Sequence, residues 1–180
     1  MALYRKINPT GIDTQIDLLQ NRMYTYLSDL WSNFESYPRV YKNIKKDSKQ
    51  RTYIVPEFAE TNKEYKEVLF NDNYNCLSFW LKSDETDSDE VMNLSTSVSV
   101  VFSCDLNKLY PNIPHRADEE MKSDIIKAFK KYPSHFTLTR ISDGVDNAYK
   151  EFETSKVVFS NIAPRHVVRF DFDINYKYEC

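Results

Sequence analysis

The end of the chain, VVRFDFDINYKY (residues 167–178), alternates apolar and polar side chains at nearly every step. Successive side chains of a β-strand point to opposite faces of a sheet. The pattern therefore predicts a strand with one mixed-charge face and one apolar face formed by Val168, Phe170, Phe172, Ile174, Tyr176 and Tyr178. At about 3.3 Å per residue such a strand is about 40 Å long. Because a small domain needs less, we expect part of it to project or to pair with another chain.

Shorter strand patterns occur upstream. In residues 93–104 the side chains that share one predicted face are Leu94, Thr96, Val98, Val100, Phe102 and Cys104. Residues 76–81 alternate in the same way, and an acidic run separates the two segments. This arrangement predicts an antiparallel hairpin with a charged tip at residues 84–91. Further short strands are predicted at residues 40–41, 53–55 and 136–141, whereas residues 57–75 are expected to be irregular.

Helical spacing is clearest near the N-terminus, where apolar residues recur at steps of three and four: Ile12, Ile16, Leu19, Met23, Leu27, Leu30 and Phe34. Thr10 is a candidate N-cap and Pro38 a candidate stop. A second helix is predicted at residues 117–132, with acidic residues in its first turn and lysines near its end, as the helix dipole favours. A short helix is expected within residues 144–152.

The composition indicates one folded domain over residues 1–180, with residues 1–10 as a leader. The chain is 41% hydrophobic and 28% charged, and its net charge of −3 argues against a general nucleic-acid-binding surface. Only two glycines occur, so a Walker loop or a GxGxxG turn cannot form and we expect no cofactor. These features predict an α+β fold, mainly an antiparallel sheet packed by the long N-terminal helix and the second, central helix.

The cysteines and the N-terminus indicate synthesis in the cytoplasm. Cys76, Cys104 and Cys180 are an odd set without CxxC spacing. The first two lie in strand-like segments, where a reduced cysteine acts as a small buried apolar residue. The N-terminus lacks the apolar run of a signal peptide, and no run approaches the roughly 20 residues that cross a bilayer. We therefore expect no membrane partner.

Two charged segments are candidate contact sites. The basic segment, defined here as residues 39–51, contains Arg39, Lys42, Lys45, Lys46, Lys49 and Arg51. A charge run of this kind usually forms a solvated, mobile loop, although nearby tyrosines would allow contact with nucleic acid. The acidic hairpin tip contains Asp84, Glu85, Asp87, Asp89 and Glu90. It lacks the glycine of an EF-hand loop, so we expect a solvated tip that docks on a basic neighbour and not a calcium site.

Catalytic machinery is not evident. His115, His135 and His166 lack metal-ligand spacing, and no nucleophile motif is present. Asp171 and Asp173 share the polar face of the last predicted strand, as a metal-dependent nuclease would require. Arg169 and Lys177 lie on the same face and would neutralise them, which favours a surface that contacts another subunit. We therefore expect no enzyme and no bound metal.

The order of elements resembles that of the tail-completion and tail-terminator proteins, the head-to-tail ring proteins of tailed bacteriophages. The resemblance is carried by the opening helix at 12–34, the turn into a strand at 39–41, the alternating strand at 94–102, the helix at 117–132 and the closing strand at 166–172. It covers nearly the whole chain. The composition, low in glycine and rich in tyrosine and asparagine, is also similar to that of structural proteins of crAss-like phages.

The resemblance implies a structural virion protein of the neck or tail, made in the host cytoplasm. Such a protein forms a sixfold or twelvefold homo-oligomeric ring that joins portal or head to tail, with DNA passing through the lumen without sequence readout. Two alternatives stay open. One is a non-enzymatic binding adaptor, such as an anti-defence protein or an assembly factor, and the other is the nuclease that uses Asp171 and Asp173.

Overall fold

The structure is a computed structural model that describes residues 2–61, 64–68, 73–89, 93–130, 136–153 and 165–177. Within these residues the elements follow in the order β1 (Ala2–Leu3), α1 (Ile12–Leu30), β2 (Phe34–Arg39), β3 (Tyr41–Lys46), β4 (Thr52–Thr61), β5 (Glu64–Glu67), β6 (Cys76–Lys82), β7 (Asp87–Ser88), β8 (Leu94–Asp105), α2 (Leu106–Leu109), α3 (Asp118–Lys130), β9 (Phe136–Asp143), α4 (Val145–Ala148) and β10 (Arg165–Tyr176). The strands pair mostly antiparallel and the longest helix is N-terminal. The predicted α+β class is therefore confirmed.

The main sheet has seven strands in the order β1-β2-β6-β8-β10-β9, with β7 paired to β8 beside this path. Strand β10 pairs with β8 along its whole length, from Arg165 opposite Asp105 to Tyr176 opposite Leu94. Its other edge pairs with β9. The expectation that this strand projects or pairs with another chain is therefore wrong. Its length is used inside the molecule, because β8 is equally long and matches it residue for residue.

The larger core lies on one face of the main sheet, under α1 and α3. The apolar stripe of α1 and the inner face of α3 pack on the even-numbered side chains of β8 and β10. Phe129 of α3 contacts Phe172 with ring centroids 4.7 Å apart, and Phe102 meets Phe170 edge to face. Each side chain buried in this way stabilises the fold by about 1.5–3 kcal/mol. The apolar face predicted for the last strand lies in this core from Val168 to Tyr176, whereas Tyr178 lies outside the described residues.

A smaller core covers only part of the opposite face. Odd-numbered residues of β6, β8 and β10 pack here with α4 and with part of β4; the members include Leu77, Phe79, Leu81, Val101, Val167, Ala148, Tyr149 and Phe58. Beyond Leu81 and Val101 the same face carries Ser97 and Ser99 on β8 and Asp171 and Asp173 on β10. These polar residues lie outside both apolar clusters. The candidate functional site lies on this polar part of the sheet.

The first helix is shorter than predicted. It ends at Leu30, and Trp31 adopts an extended backbone while its N–H donates to the carbonyl of Leu27 at 2.7 Å. Asn33 then takes a positive φ of 53°, which asparagine tolerates better than most residues. Phe34 has helical spacing but begins β2, where it packs on Trp31. The predicted cap is also wrong: Gly11 occupies the N-cap position with a φ of 56°, and no side chain caps this end.

The basic segment is not a mobile loop. Arg39 ends β2, and Tyr41–Lys46 form β3, which pairs with β4 from Tyr41 opposite Glu57 to Lys46 opposite Thr52. The carboxylate of Asp47 organises the connecting turn by accepting hydrogen bonds from the N–H groups of Lys49 and Arg51 at 2.8 and 2.9 Å. Strand β4 continues through Pro56, and β5 completes a three-stranded sheet. Part of the region predicted to be irregular, residues 57–75, is therefore regular strand.

The structure corrects the expectation that Cys76 and Cys104 are reduced. Both side chains are fully buried, as expected for strand residues in a core. However, the two residues lie directly opposite each other on β6 and β8, and their sulfur atoms form a disulfide. Sequence spacing does not indicate the bond, because the two cysteines are 28 residues apart and meet only through the hairpin register.

Candidate functional site

A cleft of about 580 Å³ opens on the polar part of the main sheet. Its lining comes from β3, β6, β8, β9 and β10, the segment after α4 and the start of the acidic hairpin: Lys42, Leu81, Lys82, Ser83, Asp84, Glu85, Ser97, Ser99, Thr139, Arg140, Lys150, Glu151, Arg169 and Asp171. The floor follows from the strand register, which aligns Leu81, Ser99, Asp171 and Arg140 across four neighbouring strands. A volume of this size is typical of a binding pocket, but the lining is mostly charged.

Arg169 forms the floor of the cleft together with three oxygen-bearing partners. Its guanidinium donates to Glu151 Oε2 and to Asp171 Oδ1, both at 2.6 Å, and to Ser99 Oγ at 2.8 Å. The Arg169 side chain is only 7% exposed. The expectation that Arg169 contributes a surface contact is therefore wrong. A buried guanidinium with two carboxylate partners has a structural role, because removing the guanidinium or the carboxylates would leave the remaining charge buried and unpaired. We call this group of ion pairs the ion-pair centre.

Asp171 is held in its ionised form by this centre. Burial raises the pKa of its carboxyl group, but hydrogen bonds from Ser99 and Arg169, with the Arg169 charge, more than offset this and hold the pKa below its usual value. Burial likewise lowers the pKa of Arg169, while Glu151 and Asp171 raise it to a net value above normal. Asp171 is therefore a fixed anion, poorly suited to exchange protons or to release its partners to a metal ion.

Asp173 lies on the same face, as the alternation predicted, but is more accessible. Its Oδ1 accepts a hydrogen bond from Ser97 Oγ at 2.7 Å, and the residue is exposed. The two aspartates thus have different surroundings, one inside an ion-pair centre and one at the surface. In the described part of the chain, no three His, Cys, Asp or Glu side chains are grouped so that they could hold a metal ion.

The two charged segments predicted as separate contact sites meet at the rim of the cleft. Lys42 Nζ of the basic segment donates to Asp84 Oδ2 of the acidic hairpin at 2.7 Å. This hydrogen bond and the Lys42 charge lower the pKa of Asp84. One residue from each predicted site is therefore already paired within the chain. Because both side chains are partly solvated, the pair contributes little to stability.

Most other cations of the basic segment are also paired internally. Arg39 Nε contacts Asp13 Oδ1 of α1 at 2.7 Å, and Arg51 Nε contacts Asp47 at 2.9 Å. Lys45 bridges Glu57 and Glu67 at 2.6 and 2.7 Å, and the hydrogen bonds that it donates to these carboxylates raise its pKa. Lys46 and Lys49 are exposed and have no ion pair in the described residues. Within that part of the chain, only these two cations of the segment are thus unpaired and available for DNA or a partner.

The acidic hairpin extends past the cleft as a solvated tip. Asp84, Glu85 and Asp87 are exposed, and β7 pairs Asp87 with Ser95 of β8. Asp89 accepts hydrogen bonds from the N–H and the side-chain amide of Asn93, so it helps to shape the turn. Glu90, also predicted as a contact, lies outside the described residues. The predicted exposed acidic tip is present as far as residue 89.

The sequence analysis did not identify three cations of the cleft as candidate site residues. Lys82, Arg140 and Lys150 line it, yet no ion pair joins any of them to a carboxylate within the described ranges. Arg140 and Lys150 are exposed, while Lys82 is half-buried and donates to the carbonyl of Ser83 at 2.7 Å. They lie far apart along the chain. Only the strand register, which places Arg140 opposite Asp171, brings them together, and a single sequence does not reveal that register.

His166 occupies a second polar centre, at the other end of β10. The residue is buried; its Nε2 lies 3.0 Å from Asp143 Oδ1 and its Nδ1 lies 2.8 Å from an Arg116 nitrogen. An arginine donor on Nδ1 leaves Nε2 to donate to the carboxylate. His115 contacts Glu120 at 3.1 Å on the surface, as expected. His135 lies outside the described residues.

Strand β9 forms one edge of the main sheet. It pairs with β10 and with no other strand in the part of the chain that the structure describes. The side chains of residues 137–141 are exposed, including the apolar Leu138 and Ile141 at 39% and 37%. One edge of this strand therefore presents backbone groups without a described strand partner, next to exposed apolar side chains. Such an edge is a template for another strand.

Comparison with known proteins adds no relative to this description. No protein-family model matches the chain, and no curated protein is similar to it at a significant level. In the described residues, none of the helices has both the length and the apolar character that crossing a membrane requires.

Proposed function

We propose that this chain is a structural virion protein that forms a homo-oligomeric ring in the neck or tail of a tailed phage. The ring would join the portal or head to the tail, with sixfold or twelvefold symmetry and with DNA passing through its lumen without sequence readout. The observation that supports self-assembly best is the β9 edge, where an eight-residue strand has exposed apolar side chains. Pairing between sheet edges is an ordinary route to protein assembly.

Surface charge supports the same proposal. The cleft brings together cations that have no ion pair among the described residues, while Asp87 of the acidic hairpin is exposed outside the cleft. A subunit with complementary patches at different positions forms head-to-tail contacts, which close into rings when the rotation between subunits closes. Lys46 and Lys49 are the cations of the basic segment most suited to DNA in a lumen, since the other cations there are paired.

The proposal is tested by placing charges on the β9 edge. A Leu138→Lys/Ile141→Lys variant removes the exposed apolar side chains and adds two cations that resist strand addition. We expect the concentration at half-assembly, measured by mass photometry or sedimentation, to rise by about tenfold or more, which corresponds to about 1.4 kcal/mol per contact. Both side chains are already partly solvated, so the subunit itself should fold normally.

Leu30→Lys is the matched control. Leu30 is 51% exposed at the end of α1, on the other side of the larger core from the sheet, and a cation is tolerated at a helix C-terminus. This variant should assemble like the unmodified chain. Assembly that survives the β9 substitutions unchanged would show that the contacts lie elsewhere. A chain that stays monomeric at high concentration, and that binds no virion component, would favour the binding adaptor instead.

A further inference from the structure

We propose that the cleft is the docking site for the acidic hairpin tip of a second copy of this chain. This inference rests on the proposed function, because it names the contact that would connect neighbouring subunits of the ring. The docking site is defined by Lys82, Arg140 and Lys150, and the inserted element by Asp87 of the hairpin tip, because Glu85 already lines the cleft of its own chain. Each subunit carries both a cleft and a hairpin tip, on different surfaces. The contact between subunits is therefore heterologous and repeats from copy to copy.

The cleft contains more cations than its internal ion pairs use. Its lining holds five cations and four carboxylates, but three carboxylates are already engaged: Asp84 with Lys42, and Glu151 and Asp171 with Arg169. Lys82, Arg140 and Lys150 keep their charges without an ion-pair partner among the described residues. The hydroxyl protons of Ser97 and Thr139, in the same lining, are already donated to Asp173 and to the carbonyl of Asp171. A ligand that carries carboxylates would therefore be held by the three cations.

The hairpin tip carries the complementary groups. Residues 84–89 have the sequence DETDSD, and all six are exposed. In the described part of the chain the carboxylates of Glu85 and Asp87 make no ion pair. Serine and threonine between the acids add short polar side chains that match a polar cleft. The tip and the cleft are therefore complementary in charge and in polarity.

A chain cannot fill the cleft with its own tip. Strand β7 pairs Asp87 and Ser88 with Ser95 and Leu94 of β8, which holds the tip along its own sheet. Asp87 is accordingly not a lining residue, although Asp84 and Glu85, at the base of the hairpin, are. Asp87 of one copy thus lies along its own sheet and outside its own cleft, which none of the described residues fills. A second copy supplies the missing carboxylates.

The position of the cleft also suits an incoming hairpin. Thr139 and Arg140 belong to both the cleft lining and β9, the edge strand of the sheet. A hairpin that enters from this side meets the cations and the open strand edge together. Backbone pairing along β9 and carboxylate contacts inside the cleft would then form one continuous interface.

A charge-exchange cycle tests the contact. Lys150→Glu and Asp87→Lys each place like charges against one another, so each should raise the half-assembly concentration by about tenfold. The combined variant restores opposite charges with the signs exchanged, and it should return to within about threefold of the unmodified chain. An equimolar mixture of the two single variants should assemble better than either variant alone, because alternating copies then place opposite charges at positions 87 and 150 in both contacts.

A fuller reversal of the cleft charge sharpens the mixing experiment. In an Arg140→Glu/Lys150→Glu variant mixed with Asp87→Lys, alternating subunits present opposite charges at both contacts, and mixed assemblies should form where neither variant assembles alone. Lys130→Glu is the control: it makes the same charge change at an exposed lysine at the end of α3, outside the cleft, and should leave assembly within about twofold of normal. Far-ultraviolet circular dichroism and thermal melting of each variant report whether it folds.

The outcomes separate this contact from the proposed function. If Lys150→Glu weakens assembly no more than Lys130→Glu does, the cleft contact is overturned and the proposed ring is not. A combined variant that assembles as poorly as both single defects added together also overturns it. An unmodified chain that stays monomeric overturns the ring and the contact together.

Discussion

Arg169 is the side chain on which the polar part of the sheet depends. Its guanidinium neutralises Glu151 and Asp171 in a nearly buried position and also bonds Ser99. We predict that Arg169→Met lowers the free energy of unfolding by about 3–5 kcal/mol, because it leaves two carboxylates close together without a counter-charge. Urea denaturation followed by circular dichroism measures this loss.

Lys177→Met is the control for that substitution. Lys177 follows β10 and is exposed, so its replacement should change the free energy of unfolding by less than about 0.5 kcal/mol. Equal effects of the two substitutions would mean that Arg169 is solvated and that the cleft floor is not the ion-pair centre described above.

Asp171 gives the fold a predictable dependence on pH. Its pKa is lower in the folded chain than the usual 3.8, through Ser99 and Arg169, despite the opposing effect of burial. A depressed carboxyl pKa stabilises the fold above the unfolded pKa, and this contribution is lost as the pH falls through the folded value. The urea midpoint of the unmodified chain should therefore fall more steeply below about pH 4 than that of Asp171→Asn. Parallel pH profiles would contradict this.

At the scale of single residues, the sequence predicted on which face of the strand each side chain lies, but not which residues it contacts. Alternation in residues 167–178 correctly placed Arg169, Asp171 and Asp173 on one side of a strand. It did not indicate that Arg169 is buried, because the residues that cover it, Ser99 and Glu151, come from β8 and from the segment after α4. Long-range neighbours of this kind depend on strand register, which local periodicity does not contain.

Among the elements, β3 differs most from expectation, and its lysines have unequal roles. Lys45 Nζ and the amide of Asn43 contact Glu57, a carboxylate in a residue that is only 4% exposed. We predict that Lys45→Met destabilises the chain by about 1–3 kcal/mol, because a buried carboxylate loses its counter-charge. Lys46→Met, at the next, exposed position, should be nearly neutral.

Thermal melting compares these two variants directly. A lower midpoint for Lys45→Met alone supports β3 as an internally paired strand. Identical midpoints would instead fit a basic segment that is solvated throughout, as the sequence suggested. The same pair of variants separates stability from DNA contact, since of the two lysines only Lys46 is exposed and without an ion pair in the described residues.

Elements with strong periodicity were predictable and the others were not. Helices α1 and α3 and strands β8 and β10 each bury one regular apolar face. The sequence predicted the limits of all four within a few residues. Strands β3 and β5 are largely exposed and carry mostly lysine and glutamate, so they lack an apolar face. Their pairing comes from the tight Asp47 turn and from β4, which local composition did not indicate.

At the scale of the whole molecule, the order of the strands in the main sheet is the feature that the sequence did not predict. The length of β10 suggested that it projects or pairs with another chain, yet β8 and β9 enclose it, and among the described residues β9 is an edge strand of the sheet. Strand order depends on which residues meet across the sheet, and one sequence does not contain that information. The proposal thus keeps the self-assembly expected from the sequence. It assigns the contact to β9 instead of β10 and places it beside a cleft that was not predicted.

Negative-stain electron microscopy of the purified, full-length chain tests the central claim, self-assembly into a ring, most directly. At a concentration well above the half-assembly point, class averages should show closed rings of sixfold or twelvefold symmetry with an open lumen. Single subunits at that concentration, or open filaments in place of rings, would contradict the account.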